Sequence, residues 1–287
     1  MTTREVPGTA ARTTLEAAVR PAPGTAPRAA PRRAVAVVIP ACDEQDLLPA
    51  ALDAVRVASE HPALDGVRVL TVVVADRCTD DTPARARAAG ALVVPVGFRN
   101  VGRARAAGVS AALRALGGGT PQGGVPCGPR SVWLASTDAD STVPPDWLAF
   151  QVARAAEGWD AVVGTVTVDR WPAHRPRLAA RHRRLYEVSR PPAGQPWQHP
   201  HVHGANLGVD ARAYIAAGGF PPLALSEDHG LVDALERTGA RLLRTADCPV
   251  TTSGRTRPRA RGGFGDHLAG LDRGIRAAAG ASEEAAG

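Results

Sequence analysis

The apolar positions of this chain change their period along its length. Ala34–Ile39 is an unbroken apolar run stopped by Pro40, the pattern of a strand buried on both faces. Leu48, Leu52 and Val55 then recur at helical spacing, and Val67–Ala75 is a second apolar run ending at Asp76. The next segment predicts a helix with Asp81 or Thr82 as N-cap, Pro83 in its first turn and Gly90 closing it. Ala91–Val96 reads as a third strand, and Gly102–Leu116 as a helix ended by Gly117-Gly118-Gly119. A Gly/Pro loop reaches Arg130, and Ser131–Thr137 is the fourth strand. This alternation predicts an α/β fold whose mostly parallel sheet carries helices on both faces. The second half is more mixed: Asp160–Val168 alternates like a strand, Arg175–Val188 is an Arg-rich helix, and Pro191–Pro200 is a Pro-rich loop. His203–Val209 reads as a strand and Glu227–Thr238 as a helix. One ordered domain over 34–279 is expected, with a regular half, 34–150, and a mixed half, 151–279.

The 287 residues suffice for one large α/β domain. No apolar run is long enough to span a bilayer. The start of the chain lacks the apolar centre of a secretory signal, so a cytoplasmic location is expected, with at most peripheral contact to a membrane. Residues 1–33, rich in Ala, Pro, Thr and Arg, and residues 280–287 are expected to be disordered. The net charge is +6, and every one of the 34 basic residues is Arg. Six of these Arg, against two Glu, lie in residues 1–33, which leaves the ordered part near neutral. A specific nucleic-acid partner is therefore not expected; the tail could make only a weak, salt-sensitive contact with nucleic acid or an anionic membrane. Cys42, Cys78, Cys127 and Cys248 form no C-x-x-C pair, so reduced, mostly buried thiols are expected rather than a zinc site or disulfides.

In an open parallel sheet, ligands bind beyond the carboxyl ends of the strands. Three polar clusters fall there: Pro40-Ala41-Cys42-Asp43-Glu44 after the first strand, Asp76-Arg77-Cys78-Thr79-Asp80-Asp81 after the second, and Asp138-Ala139-Asp140 after the fourth. With these strands, all three line one crevice. Asp138 and Asp140 can both face one cation, and hard carboxylate oxygens suit Mg2+ or Mn2+, ions that also bind substrate phosphates. The triplet reads equally as a polar turn, with Asp140 capping toward a helix near Pro145; the spacing leaves both readings open.

These clusters carry a resemblance. Val37-Val38-Ile39-Pro40-Ala41-Cys42-Asp43-Glu44 resembles the V-V-I-P-A-x-N-E opening of family 2 glycosyltransferases. Val73-Val74-Ala75-Asp76-Arg77-Cys78-Thr79-Asp80-Asp81-Thr82 is similar to their second strand with its V-D-D-x-S-x-D-x-T continuation. Gly102-Arg103-Ala104-Arg105-Ala106-Ala107-Gly108 is similar to their G-x-x-x-A-R-N-x-G helix, and Asp138-Ala139-Asp140 to their DxD motif. Gly204-Ala205-Asn206-Leu207, Gly218-Gly219-Phe220 and Ser226-Glu227-Asp228 match G-x-N-x…G-G-F…E-D. Five such pieces in the family's order are far more specific than any one of them.

The resemblance implies a GT-A fold in which 34–150 is the nucleotide-sugar half and 151–279 the acceptor half. It implies metal-dependent transfer, with inversion, of a sugar from a nucleotide-diphospho-sugar to the hydroxyl of an unnamed acceptor, with a UDP-sugar ahead of a GDP-sugar as donor. Pro40, Ala41 and Glu44 would hold the nucleotide, Asp76 would bond the base, and Arg103 would lie near the nucleotide or its phosphates. Asp140 would be the firmest ligand of Mn2+ or Mg2+, with Asp138 serving metal or ribose. His203, Asn206 and Glu227 would face the acceptor, and Asp228 would be the general base. The chemistry asks for this set: the departing diphosphate needs positive charge, and the attacking hydroxyl must lose a proton. The alternative for Ser226-Glu227-Asp228 is a helix N-cap with two acids answering the macrodipole. The sequence departs from the family at Asp43 (Asn), Ala75 (Asp), Arg77-Cys78-Thr79 (Gly-Ser-Thr) and Ala107 (Asn), which puts the base and the phosphate contacts in question but not the fold.

Arg255, Arg257, Arg259 and Arg261 read either as a loop whose Arg255 or Arg259 closes over the diphosphate or as a solvated basic loop. Arg175, Arg177, Arg181, Arg183, Arg184 and Arg190 make a basic helix, an ordinary exposed one or a surface for an anionic acceptor or membrane. At most two of His199, His201 and His203 are expected to converge, and an acceptor-binding or structural role is expected rather than zinc. His267 is a candidate third metal ligand, and Trp171 and Trp197 are packing residues able to stack on a sugar. Two other function classes compete: nucleotidyl transfer, which also uses paired carboxylates and a metal but usually a Lys-containing phosphate loop, and a nucleotide-binding protein of the same fold without turnover. An NAD enzyme is disfavoured, since no G-x-G-x-x-G follows the first strand.

Overall fold

The computed structural model describes residues 33–117, 128, 131–171, 176–193, 195–255 and 269–273. The expectations for residues 1–32 and 280–287, and for Cys127, Arg175, Arg257, Arg259, Arg261 and His267, lie outside those residues. Arg33, assigned to the tail, is instead joined to the sheet: its amide donates to Ser131 O (2.9 Å) and its carbonyl accepts from Arg68 N (2.9 Å).

β1 (Ala34–Ala41), β2 (Arg68–Asp76), β3 (Leu92–Val96) and β4 (Val132–Ser136) alternate with α1 (Leu48–Ser59), α2 (Thr82–Ala88) and α3 (Val101–Gly117). β5 (Ser141–Thr142), α4 (Trp147–Ala156), β6 (Ala161–Arg170), α5 (Pro176–Tyr186), β7 (Leu207–Asp210), α6 (Ala211–Ala216), α7 (Glu227–Arg237) and β8 (Leu242–Ser253) follow. The eight strands form one sheet in the order β3-β2-β1-β4-β7-β6-β8-β5. β1 runs parallel to β2 and β4, and β2 to β3. β7 is antiparallel to β4 and β6, β8 is parallel to β6, and β5 is antiparallel to β8.

The apolar run of β1 is unbroken because both faces are buried. Ala34, Ala36 and Val38 pack into a cluster with Val109 and Leu116 of α3 and Leu231 and Leu235 of α7. Val35, Val37 and Ile39 pack on the other side with Leu48 and Val55 of α1 and Trp147 and Leu148 of α4.

The expected strand over His203–Val209 is shorter than its pattern suggested. Gly204–Asn206 is a single 3-10 turn, and only Leu207–Asp210 pairs. The Asn206 side chain decides this. Its Oδ1 accepts from Trp147 Nε1 (2.9 Å), and its Nδ2 donates to the carbonyls of Thr165 (2.8 Å) and Cys248 (2.9 Å). A Cβ at Gly164 would collide with this amide, so glycine there makes the room. The residue expected to face an acceptor is therefore a buried clamp between α4, β6 and β8. Asn206→Ala strands the indole N–H and two carbonyls, and should lower the unfolding free energy by about 3 kcal/mol or more in urea titration. An unchanged midpoint would return Asn206 to the acceptor side.

Candidate active site

β1, β2 and β4 end side by side, and β7 runs back along β4 with Leu207 opposite Ser136. The three polar clusters and the segment around Gly204 therefore meet at one edge of the sheet. The loops there are laced to each other. Glu44 N donates to Thr82 Oγ1 (2.7 Å), Gln45 N to Asp80 Oδ2 (3.1 Å), Thr79 N to Asp43 Oδ1 (2.7 Å) and Asp81 N to Gln45 Oε1 (3.0 Å). Among the described residues, four non-glycines have positive φ: Asp43 (52°), Arg77 (57°), Arg99 (50°) and Ser226 (59°). All four lie in loops at this edge, which holds backbone that costs about 1–3 kcal/mol per residue elsewhere.

At the centre is Arg105, on α3 and 3% exposed. Its Nε donates to Glu227 Oε1 (3.0 Å), its Nη1 to Ser136 Oγ (2.5 Å) and its Nη2 to Asp138 Oδ1 (2.6 Å). Burial alone would drive the guanidinium toward neutrality, but Asp138 and Glu227 more than reverse this and hold its pKa above the ordinary value. A Cβ at Gly204 would run into the guanidinium, so glycine is required on that side too. The residue singled out from the sequence, Arg103, is exposed and lies over the Phe98 ring at 4.2 Å. The signal for Arg105 was present: in the A-R-N-x-G part of the motif, Arg precedes the last Gly by three, which from Gly108 selects Arg105 and puts Ala106, not Ala107, at the Asn.

Glu227 is buried and committed to Arg105; burial raises its pKa and Arg105 opposes that. Asp228 is half-buried, with Oδ2 accepting from Gly204 N (2.8 Å) and Oδ1 from His229 N (2.8 Å). Ser226 is left-handed and makes no side-chain cap, whereas Glu227 and Asp228 do stand in the first turn of α7.

Asp140 does not cap α4, whose N-cap position is Asp146. It faces Glu44 across Arg255, from the end of β8. Arg255 donates to both Glu44 oxygens (2.6 and 3.0 Å) and lies 3.0 Å from Asp140 Oδ2. Burial, then Asp138 and Glu44, push the Asp140 carboxyl up to about 6 against the pull of Arg255. Pro40 and Ala41 end β1 beside this group. Asp76 is buried, and its carboxylate accepts the amides of Phe98 (2.7 Å), Arg99 (3.0 Å) and Asn100 (3.1 Å), fixing the loop after β3. Asp43, Cys78 and Asp80 bring ligand atoms within 4.8 Å of one another, but both carboxylates already serve the loop amides named above and that of Thr82.

The histidines differ from expectation. His199, His201 and His203 all stand in one column of rings, with centroids 5.9 and 6.2 Å apart, because side chains two residues apart on an extended backbone fall on the same side. Tyr186 stacks on His201 at 3.9 Å. The Tyr186 hydroxyl accepts from Val166 N (3.0 Å) and is hydrogen-bonded to His203 Nε2 (3.1 Å). Burial, then His201 and His199, hold His203 neutral, down to about 3. Trp171 and Trp197 pack against this column, on His182 and Tyr186. Of the described cysteines Cys42 is exposed, Cys78 half-buried and Cys248 buried, and no disulfide joins them.

A family model described as glycosyl transferase family 2 matches residues 36–216. The match includes Glu44, Arg105, Asp138, Asp140 and His203 and ends before Glu227, Asp228 and Arg255. Among solved structures, the chain is similar to a mannosyltransferase from Pyrobaculum calidifontis in complex with GDP-Man and Mn2+, at 24% identity and a TM-score of 0.55 over 83% of this chain and 60% of that one. It is also similar to S. aureus TarS in complex with UDP, at 13% identity and a TM-score of 0.50 over 77% of this chain and 60% of that one. The chain thus spans 60% of the length of each. No curated protein matches it. The fold is GT-A.

The two neighbouring arginines separate by stability. Arg105→Gln leaves buried Glu227 and half-buried Asp138 without their cation and should cost about 3–5 kcal/mol in urea titration, whereas Arg103→Gln should change it by less than about 0.5 kcal/mol. Equal, small effects would show that the guanidinium does not hold the site together.

Proposed function

The chain belongs to glycosyl transferase family 2, and from that premise we propose that it transfers a sugar from a nucleotide-diphospho-sugar to an acceptor hydroxyl with inversion, Asp228 taking up the acceptor's proton. Membership makes it a glycosyltransferase and sets aside the nucleotidyl transfer that paired carboxylates alone left open. One observation carries the finer reading: a single guanidinium bridges Asp138 and Glu227, so the DxD turn and the acidic start of α7 stand at one site.

The donor set fits a divalent cation. Asp140 stays high in pKa despite touching Arg255, because its burial, and then the carboxylates of Asp138 and Glu44 beside it, outweigh that one cation. Asp140 and Asp138 would hold Mn2+ or Mg2+, which would neutralise the charge developing on the leaving diphosphate. Arg255 adds a second cation on a fork suited to phosphate oxygens, available to them once Asp140 is otherwise engaged. Pro40, Ala41 and Glu44 form the nucleotide's floor, and Asp76 supports the wall beside the base. A UDP-sugar is the first candidate donor and a GDP-sugar the second.

Between the two acids of α7, the base falls to Asp228. Glu227 is buried with its charge already matched by Arg105, while Asp228 is half-buried and aimed by two backbone amides. Inversion follows if Asp228 removes the proton from a hydroxyl attacking opposite the departing diphosphate. Neutral His203, next to Gly204, lines the acceptor side.

Two measurements test this. UDP or GDP should raise the melting temperature only with Mn2+, and Asp140→Asn should remove the metal-dependent part; no shift with any nucleotide would sink the proposal. Asp228→Asn should keep the metal-dependent shift and lose about 10²–10⁴-fold in transfer rate. Retained transfer would remove Asp228 as base.

A further inference from the structure

We infer that α5 is a docking surface for an anionic lipid bilayer. The helix has two unlike sides. Leu178 (1% exposed) and His182 (7%) are buried, and Tyr186 turns inward to Val166 and His203, which fastens the helix to the body of the protein. The opposite side shows Arg177, Arg181 and Arg184, spaced four and three residues apart and all exposed, with exposed Arg183 near them. The eleven residues of the helix include no acid. None of these four arginines has an ion-pair partner among the described residues. Three helical arginines elsewhere are answered locally, Arg56 by Asp53 and Glu60, Arg154 by Glu157 and Arg212 by Asp210. Glu187, the acid just past the helix, is already held by Arg190 at 3.0 Å.

Where the stripe ends, large apolar side chains face water. Leu185 is 47% exposed and Val188 81%, and they continue the row of Arg181 at four and seven residues. Unpaired guanidiniums beside projecting apolar side chains suit a segment lying in the headgroup layer, with arginines on the lipid phosphates and Leu185 and Val188 at the acyl boundary. A nucleic acid would use the arginines but leave the apolar pair uncovered, which favours the bilayer. The surface does not rest on the transfer chemistry proposed above, although Tyr186 joins it to His203.

The test is co-sedimentation of the full chain with phosphatidylcholine vesicles containing or lacking phosphatidylserine, every variant keeping its Arg-rich N-terminal stretch. The chain should bind only the phosphatidylserine vesicles. Replacing Arg177, Arg181 and Arg184 together by Gln should lower the partition coefficient on the order of 100-fold at low salt. Replacing Leu185 and Val188 by Ser should lower it about tenfold. Both variants should melt at the parent's temperature, because the replaced side chains are exposed. Unchanged binding in the arginine variant would assign the contact to another basic segment and overturn the inference. Unchanged binding in the serine variant would leave a purely electrostatic contact and overturn it as well. Loss of duplex-oligonucleotide binding with vesicle binding intact would assign α5 to nucleic acid instead.

Discussion

The guanidinium of Arg105 is shared by β4, α3 and α7. A charge buried to this degree is costly unless its donors are met, and here Asp138, Ser136 and Glu227 meet them from two elements that are far apart in sequence. The arrangement constrains its neighbours: Gly204 must lack a Cβ, and α7 must begin where Glu227 can reach. Through Glu227 it also sets where the next residue, Asp228, presents its carboxylate. The distance between the DxD turn and the acids of α7 is thus a property of one ion-paired side chain rather than of either loop.

A second guanidinium balances the remaining carboxylates less completely. Arg255 gives both arms to Glu44 and lies against Asp140, yet burial and the neighbouring acids still push Asp140 up to about 6. Arg105 is over-compensated by its partners and Arg255 is over-subscribed by its own. The site therefore has one rigid ionic centre and, beside it, a cluster that an additional cation would relieve. That asymmetry separates a positioning residue from residues suited to a charged, exchangeable ligand.

The second half of the domain is held by polar side chains where the first half relies on apolar period. Asn206 links α4, β6 and β8 with three hydrogen bonds, and Tyr186 links α5 to β6 and to His203. Such contacts leave no repeating mark in the sequence. A buried Asn and a surface Asn have the same local pattern, so the sequence alone points Asn206 toward the acceptor.

Sequence alone determined the strand–helix alternation of residues 34–150, because strands buried on both faces must be continuously apolar and helices packed on them must repeat at the helical period. It also determined that the clusters after β1, β2 and β4 meet, since parallel neighbouring strands bring their carboxyl ends to one edge. It left the arginine of α3 open, since Arg103 and Arg105 share their chemistry two residues apart. Only the tertiary structure decided between the two arginines as the partner of Asp138, between Asp140 as a cap and Asp140 as a partner of Glu44 and Arg255, and that Glu227 is the acid of α7 paired to Arg105. Each of those choices depends on which charge is buried and what stands opposite it, and burial is set by contacts such as Arg105 to Glu227, 122 residues apart, which no local pattern encodes.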